Sequence, residues 1–397
     1  MSPASRGLVV EAEPAFRTAH ANPYNARLAT TMQEQGATVR DLSYLRLLTR
    51  RIDVVHLHWP ELTFLTGRPW RVLARLMLFR AALRVARRRG RTKLVWTVHN
   101  VASHEQRATP RLRALHRRLL VEEVDGLLSL TEGGLAAARA AFPEFAQTPG
   151  AVTPHGHYRE DYDMSVSRAA ARAELGIDRD VTLVVSVGMI RAYKNVPDLV
   201  RTVAASSDGT LRLAVAGRPA SAGLADEIRS AASEDPRITL DLAFQSDAAI
   251  AAWLRAADLV ALPYRAIQNS GSAILALSAD RPVVVPSLGA MRELQALVGP
   301  DWVRCYDGAF DEAELARSLA WARSERPGHA PLDRLDWGDI ARSTLAYYQE
   351  LRNGARPAAA RGDARHLPDT TAPSLEHQGV PCPPIDQQGE SRAAVAS

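Results

Sequence analysis

ADLVALPYRAIQNSGSAILALSADRPVVVPSLGAMREL, Ala257 to Leu294, decides the fold. It reads as a buried strand (DLVALPY), a polar loop (RAIQNSGS), a short helix (AILALSAD), a second strand (PVVVPS) and a turn entering another helix. Short apolar strands that alternate with helices belong to parallel sheets covered on both faces. Asn269, Ser270, Gly271 and Ser272 stand where the strand gives way to the helix. The first amides of a helix lack partners, small hydroxyls add donors, and Gly271 lets a ligand approach the backbone. This loop is therefore a candidate anion site.

The same alternation runs outward on both sides. Leu8–Glu11, Thr38–Leu42, Val54–His58, Leu94–Val98, Leu127–Leu130 and Val152–Thr153 read as short strands. Tyr24–Gln35, Trp70–Arg89, Pro110–Glu123 and Leu135–Phe142 read as the helices between them. After a polar join the pattern restarts with VTLVVSVG, LRLAVAG, ITLDLAF, DLVALPY, PVVVPS and DWVRCY. Two consecutive α/β halves predict two Rossmann-like, doubly wound parallel sheets facing a cleft. The expected division is residues 1–160, then 161–334, with an amphipathic closing helix in 335–352. Residues 353–397, rich in Pro, Ala, Gly and charge without an apolar period, are expected to be a disordered tail.

A chain of 397 residues with 46% hydrophobic content fits two soluble domains, and no apolar run approaches a membrane span. The start, MSPASRGLVVEAEP, lacks a signal pattern, so a cytoplasmic location is expected. Cys305 and Cys382 are the only cysteines and have no metal-ligand spacing, which argues against structural zinc or a disulfide framework.

VSVGMIRAYKNVPDLV, Val185–Val200, is the second informative motif. A strand ends at Gly188, and Arg191 and Lys194 follow before the next helix. Two cations there suit a diphosphate, with Arg as a fork and Lys as a point charge; the bland alternative is a basic turn. Gly217, Arg218 and Pro219 end the next strand on the same edge, as a further contact or a structural turn. In the first half, DVVHLHWPE (53–61) and KLVWTVHNVASHE (93–105) bring His56, His58, Glu61, His99, His104 and Glu105 to the ends of two strands. Alternate strand residues share a face, so a metal site is the competing reading, but no HExxH helix or cysteine pair accompanies them. Asp161–Asp163 and Asp178–Asp180 read as solvated turns. From Arg68 to Lys93 there are nine arginines, one lysine and no acid. Arg80, Arg84, Arg87 and Arg88 recur at helical spacing, with Val72, Leu76, Phe79 and Leu83 on another face. Arg111, Arg113, Arg117 and Arg118 add a second basic helix. An anionic membrane surface and a merely solvated face are both open, whereas a nucleic-acid surface lacks stacking aromatics and a motif.

The segments HLHWPE, WTVHNVASHE, GMIRAYKNVP and NSGSAILALSADRPVVVP resemble those of GT-B glycosyltransferases. They are similar to bacterial exopolysaccharide mannosyltransferases, including the xanthan-type β-mannosyltransferase branch, over about residues 7 to 352. The resemblance implies a nucleotide-sugar donor, GDP-mannose first, and no metal or other cofactor. It also implies a saccharide or lipid-linked acceptor at the inner membrane face. Gly188, Arg191, Lys194 and Asn269–Ser272 would hold the donor. His99 corresponds to the family histidine beside the transferred sugar. His99, Glu61 and Glu105, in that order, are candidate bases should configuration invert. The family's two loop glutamates are replaced here by Ile267 and Leu275, which leaves Glu293 as a candidate for the ribose. That loss keeps a second class in play: a non-catalytic nucleotide-sugar-binding partner of an assembly complex.

Overall fold

A computed structural model describes residues 7–19, 23–99 and 108–354. His104, Glu105, Cys382 and nearly all of the expected tail lie outside the described residues. The first sheet contains β1 (Val9–Glu13), β2 (Thr38–Asp41), β3 (Val54–Leu57), β4 (Lys93–Val98), β5 (Gly126–Ser129) and β6 (Gly150–Val152). The second contains β7 (Thr182–Val187), β8 (Leu211–Ala216), β9 (Ile238–Asp241), β10 (Leu259–Ala261), β11 (Val283–Pro286) and β12 (Val303–Tyr306). Their orders are β2-β1-β3-β4-β5-β6 and β12-β11-β10-β7-β8-β9. Every pairing is parallel, as with Val10 opposite Val39 on one side and Val54 on the other.

The helices that cross over in the first half are α1 (Tyr24–Glu34), α2 (Tyr44–Thr49), α3 (Pro60–Phe64), α4 (Pro69–Gly90), α5 (Pro110–Glu123) and α6 (Glu132–Ala141). Those of the second are α7 (Arg168–Glu174), α8 (Val196–Ala205), α9 (Ala222–Ala232), α10 (Asp247–Ala256), α11 (Gly271–Ser278), α12 (Met291–Val298), α13 (Glu312–Ala322) and α14 (Trp337–Asn353). Helices on both faces explain why β3, β10 and β11 are buried along their whole length rather than alternating. The two short helices α2 and α3 fall within stretches too brief to show a period. None of the described helices is long and apolar enough to cross a membrane.

Two features position the cleft. Gly217 has φ 154, and a Cβ there would meet the Gly188 carbonyl oxygen at 2.0 Å, so the loops after β7 and β8 touch at the backbone. Helix α14 follows the second sheet in sequence yet packs into the first. Trp337, Ile340, Tyr347, Tyr348 and Leu351 share a core with Val10, Tyr24, Leu28 and Leu128. Each large apolar side chain so buried contributes about 1.5–3 kcal/mol. The helix that follows the second sheet is thereby tied back to the first strand and α1.

Candidate functional site

The carboxyl ends of both sets of strands open on one cleft of about 660 Å³, lined from both halves of the chain. On the second-sheet wall, Ser270 caps α11: its Oγ accepts from the Ala273 amide at 3.1 Å and pairs with the Tyr264 hydroxyl at 2.7 Å. Gly271 and Ser272, in the first helical turn, line the cleft beside it. Asn269 also lines the cleft, and its Nδ2 donates to the His99 carbonyl at 3.1 Å across the divide. Lys194 ends a 3-10 turn (Ala192–Lys194), and its Nζ donates to Ser272 Oγ at 3.3 Å. Burial, and then the Arg191 charge, lower the Lys194 ammonium to about 8. A cation that is costly to keep charged is poised to gain from an arriving anion.

Arg191 itself is exposed and is not among the residues lining the cleft; Met189 takes that place. The cation that joins Lys194 on the wall is Arg218, brought in by the contact between Gly217 and Gly188. Nothing in the sequence separated Arg218 from an ordinary turn. The approach of two loops, which depends on tertiary packing, does.

The first-sheet wall is aromatic. His99 directly follows β4 and is buried; Trp59 stacks on its ring at 4.3 Å and 18°, and Tyr24 meets it edge-on at 5.3 Å. His58 Nδ1 lies 3.1 Å from His99 Nε2. His56 sits deeper, with Nε2 at 2.6 Å from Thr97 Oγ1 and Nδ1 at 2.7 Å from the Tyr348 hydroxyl. Burial keeps all three imidazoles neutral, lowering His56 to about 3 and placing His58 and His99 well below their usual range. Among the described residues, no three of His, Cys, Asp or Glu are grouped to hold a metal ion. The linking segment supplies His155 and Tyr158, which also line the cleft. His155 Nδ1 lies 2.8 Å from the Gly156 carbonyl, which can only accept. Its Nε2 therefore carries the lone pair and accepts from the Tyr158 hydroxyl at 3.1 Å. His155 is held down to about 4 by burial. Tyr24, Trp59, His155 and Tyr158 gave no signal in the sequence, because a single aromatic is as readily core as site.

Other candidates are used differently. Glu61 stands in the first turn of α3, outside the cleft lining, and burial raises its carboxyl above the usual range. Glu293 reaches from α12 to the start of α6 and accepts from the Glu132 and Gly133 amides, each at 2.9 Å. It is a clasp between the halves and does not line the cleft. Asp161 is no solvated turn: it lines the cleft and pairs with Arg27. Asp163, Asp178 and Asp180 are exposed.

The basic face of α4 also needs correction. Val72, Leu76, Phe79 and Leu83 are fully buried in the first-sheet core. Arg80 pairs with Glu122 and Glu123, and Arg87 with Glu123 and Asp125, so both are spent on the end of α5 and the turn after it. Arg84 stands 3.8 Å from Glu123 and is exposed, as is Arg88. The acids that neutralise this segment come from a distant stretch of sequence. On α5 itself, Arg117 pairs with Glu144 and Arg118 with Glu122.

Two six-stranded parallel sheets opening on a shared cleft, with a lysine and a helix start on one wall, define a GT-B transferase fold. Among solved structures, sucrose-phosphate synthase from Thermosynechococcus elongatus matches with a TM-score of 0.63 at 16% identity, covering 88% of this chain and 100% of that one. WaaG, a glycosyltransferase involved in lipopolysaccharide biosynthesis, matches with a TM-score of 0.56 at 16% identity, covering 89% and 100%. Residues 181–319 match the family model for glycosyl transferases group 1. A GDP-mannose:glycolipid 4-beta-D-mannosyltransferase from Xanthomonas campestris pv. campestris is 31% identical over 335 residues, 84% of this chain and 89% of that protein. The chain belongs to the group 1 glycosyltransferases.

Proposed function

We propose that the chain transfers mannose from GDP-mannose to a glycolipid. The observation that carries this is the 31% identity to a GDP-mannose:glycolipid mannosyltransferase over a span that includes both sheets. In this reading residues 1–160 present the acceptor, 161–334 hold the donor and 335–352 close the structure. The diphosphate lies against Lys194, Arg218 and the start of α11 at Gly271 and Ser272. This fixed positive field stabilises the departing charge, so no metal ion or other cofactor is part of the proposal. The relative's name specifies a β-mannoside. GDP-mannose carries its sugar in α linkage, so the same product here requires inversion and a base. His99 fills that role: it is neutral, buried beside the cleft and free of acidic partners among the described residues. A bound diphosphate nearby would favour its protonated form and bring its basicity toward neutrality.

The acceptor side includes a surface. The exposed large apolar residues Trp70, Leu73, Met77 and Leu78 occupy the N-terminal half of α4, whose C-terminal half exposes Arg84, Arg88 and Arg89. Arg88 and Arg89 line a hollow of about 330 Å³ with Arg51, Arg91 and Arg352. An apolar stripe ending in arginines fits the interface of an anionic membrane, which would place the protein peripherally at the cytoplasmic face where a lipid-linked acceptor is exposed.

Thermal melting against GDP-, UDP- and ADP-sugars tests the donor. GDP-mannose should stabilise the protein most, and no stabilisation by any nucleotide sugar would remove the reading. A binding-only partner protein would be stabilised but release no GDP. The relative, named for its transferase activity, does not favour that alternative.

A further inference from the structure

Two histidines share one hydrogen bond at the wall of the cleft. His58 Nδ1 and His99 Nε2 are 3.1 Å apart, and both rings are buried. A neutral imidazole has one N–H and one lone pair, so one ring donates and the other accepts. Among the described residues, neither histidine has a carboxylate partner that would fix its tautomer from outside. Among the described residues, the other groups packed on His99 hold the ring without using its nitrogens: Trp59 stacks on one face, Tyr24 presents an edge, and Asn269 binds the backbone carbonyl. With Nε2 engaged by His58, Nδ1 is the ring nitrogen that no described residue takes, and His99 lines the cleft. His58 is braced in turn by the His56 ring, whose centroid is 4.0 Å away and whose own nitrogens face Thr97 and Tyr348.

We propose that His58 is a positioning residue whose Nδ1 accepts the Nε2–H of His99, leaving a lone pair on His99 Nδ1 to take the acceptor's proton. This rests on the reading of His99 as the base. As the acceptor oxygen bonds to the anomeric carbon, its O–H bond breaks and the proton passes to His99 Nδ1. The bond from that carbon to the diphosphate oxygen breaks, and its electron pair leaves with the nucleoside diphosphate. The resulting imidazolium keeps its Nε2–H on His58. In the opposite tautomer Nδ1 carries the hydrogen and no base is present.

The test combines nitrogen-15 NMR of histidine-labelled protein with kinetics of GDP release from GDP-mannose, using glycolipid extracted from the protein's own host. The wild type should show His99 protonated at Nε2 and unprotonated at Nδ1. His58→Phe should lower kcat roughly 100-fold, the scale of a lost general base, with the KM for GDP-mannose unchanged. His58→Asn, whose amide oxygen can still accept near the Nδ1 position, should recover most of that loss. A wild-type spectrum with the proton on His99 Nδ1 would overturn the proposal even if the Phe variant failed to fold. So would an Asn variant no better than Phe when both bind GDP-mannose normally. Failure of the underlying reading is separate: His99→Gln with undiminished kcat would remove His99 as the base whatever its tautomer.

Discussion

Lys194 carries the sharpest consequence at the scale of a single residue. Its ammonium is pushed down to about 8, so the free enzyme loses this charge as pH rises past that value. We expect kcat/KM for GDP-mannose to be flat near neutrality and to fall above about pH 8, since that ratio reports the free enzyme's groups. Lys194→Arg should move the fall to higher pH, and a profile indifferent to the substitution would place Lys194 outside the site. Lys194→Ala and Arg218→Ala should each lower turnover by roughly 100-fold or more, the scale of a removed electrostatic contact. Arg191→Ala, exposed and off the cleft wall, should cost under 10-fold. Equal losses at Arg191 and Arg218 would contradict that ranking. Position along a strand end made Lys194 and Asn269–Ser272 legible in the sequence. Arg218 and Trp59 were not, because their roles follow from loops and rings that meet only in three dimensions.

At the scale of elements, α4 and α6 show what periodicity leaves out. The α4 spacing located a buried apolar face and a basic one, but half of the named arginines turn inward to Glu122, Glu123 and Asp125. Arg80→Gln and Arg87→Gln should therefore lower melting temperature with little effect on vesicle binding. Arg84→Gln with Arg88→Gln should weaken binding to phosphatidylglycerol vesicles and leave stability nearly unchanged. The opposite pattern in a sedimentation assay would assign the exposed stripe to solvent alone. Glu293 joins α12 to the start of α6, where a Cβ on Gly133 would approach its Oε1 at 2.7 Å. A carboxylate at a helix start contributes about 1 kcal/mol, here between the two halves. Glu293→Ala should enlarge the radius of gyration seen by X-ray scattering and raise the KM for donor. An unchanged scattering curve would show that the clasp does not govern closure.

For the molecule as a whole, the repeated strand–helix alternation was enough to read two parallel sheets, since both faces of such a sheet must be apolar. An amphipathic helix over 335–352 was legible, but its packing on the first sheet and the cluster of buried imidazoles were not, as both depend on residues about 290 apart in sequence, such as Tyr348 and His56. That cluster, together with the separate buried His116 of α5, makes stability depend on pH. His56 is lowered to about 3, His116 and His155 to about 4, and His58 and His99 also lie below their unfolded values. The unfolded chain therefore binds more protons as pH falls below about 6.5, and each histidine removes up to about 1.4 kcal/mol per pH unit. Urea midpoints should drop steeply between pH 6.5 and 5; a flat profile would mean these imidazoles are accessible to protons. If Lys194, Arg218 and α11 supply the field as proposed, turnover should survive EDTA; loss restored by magnesium or manganese would contradict that. Mannose transfer itself can be followed by incubating the protein with GDP-[14C]mannose and glycolipid extracted from its host. Label should appear in the solvent-extractable lipid, with equivalent GDP released, and little of either should form with Lys194→Ala or His99→Gln. Tight GDP-mannose binding with all label left on the nucleotide would contradict it.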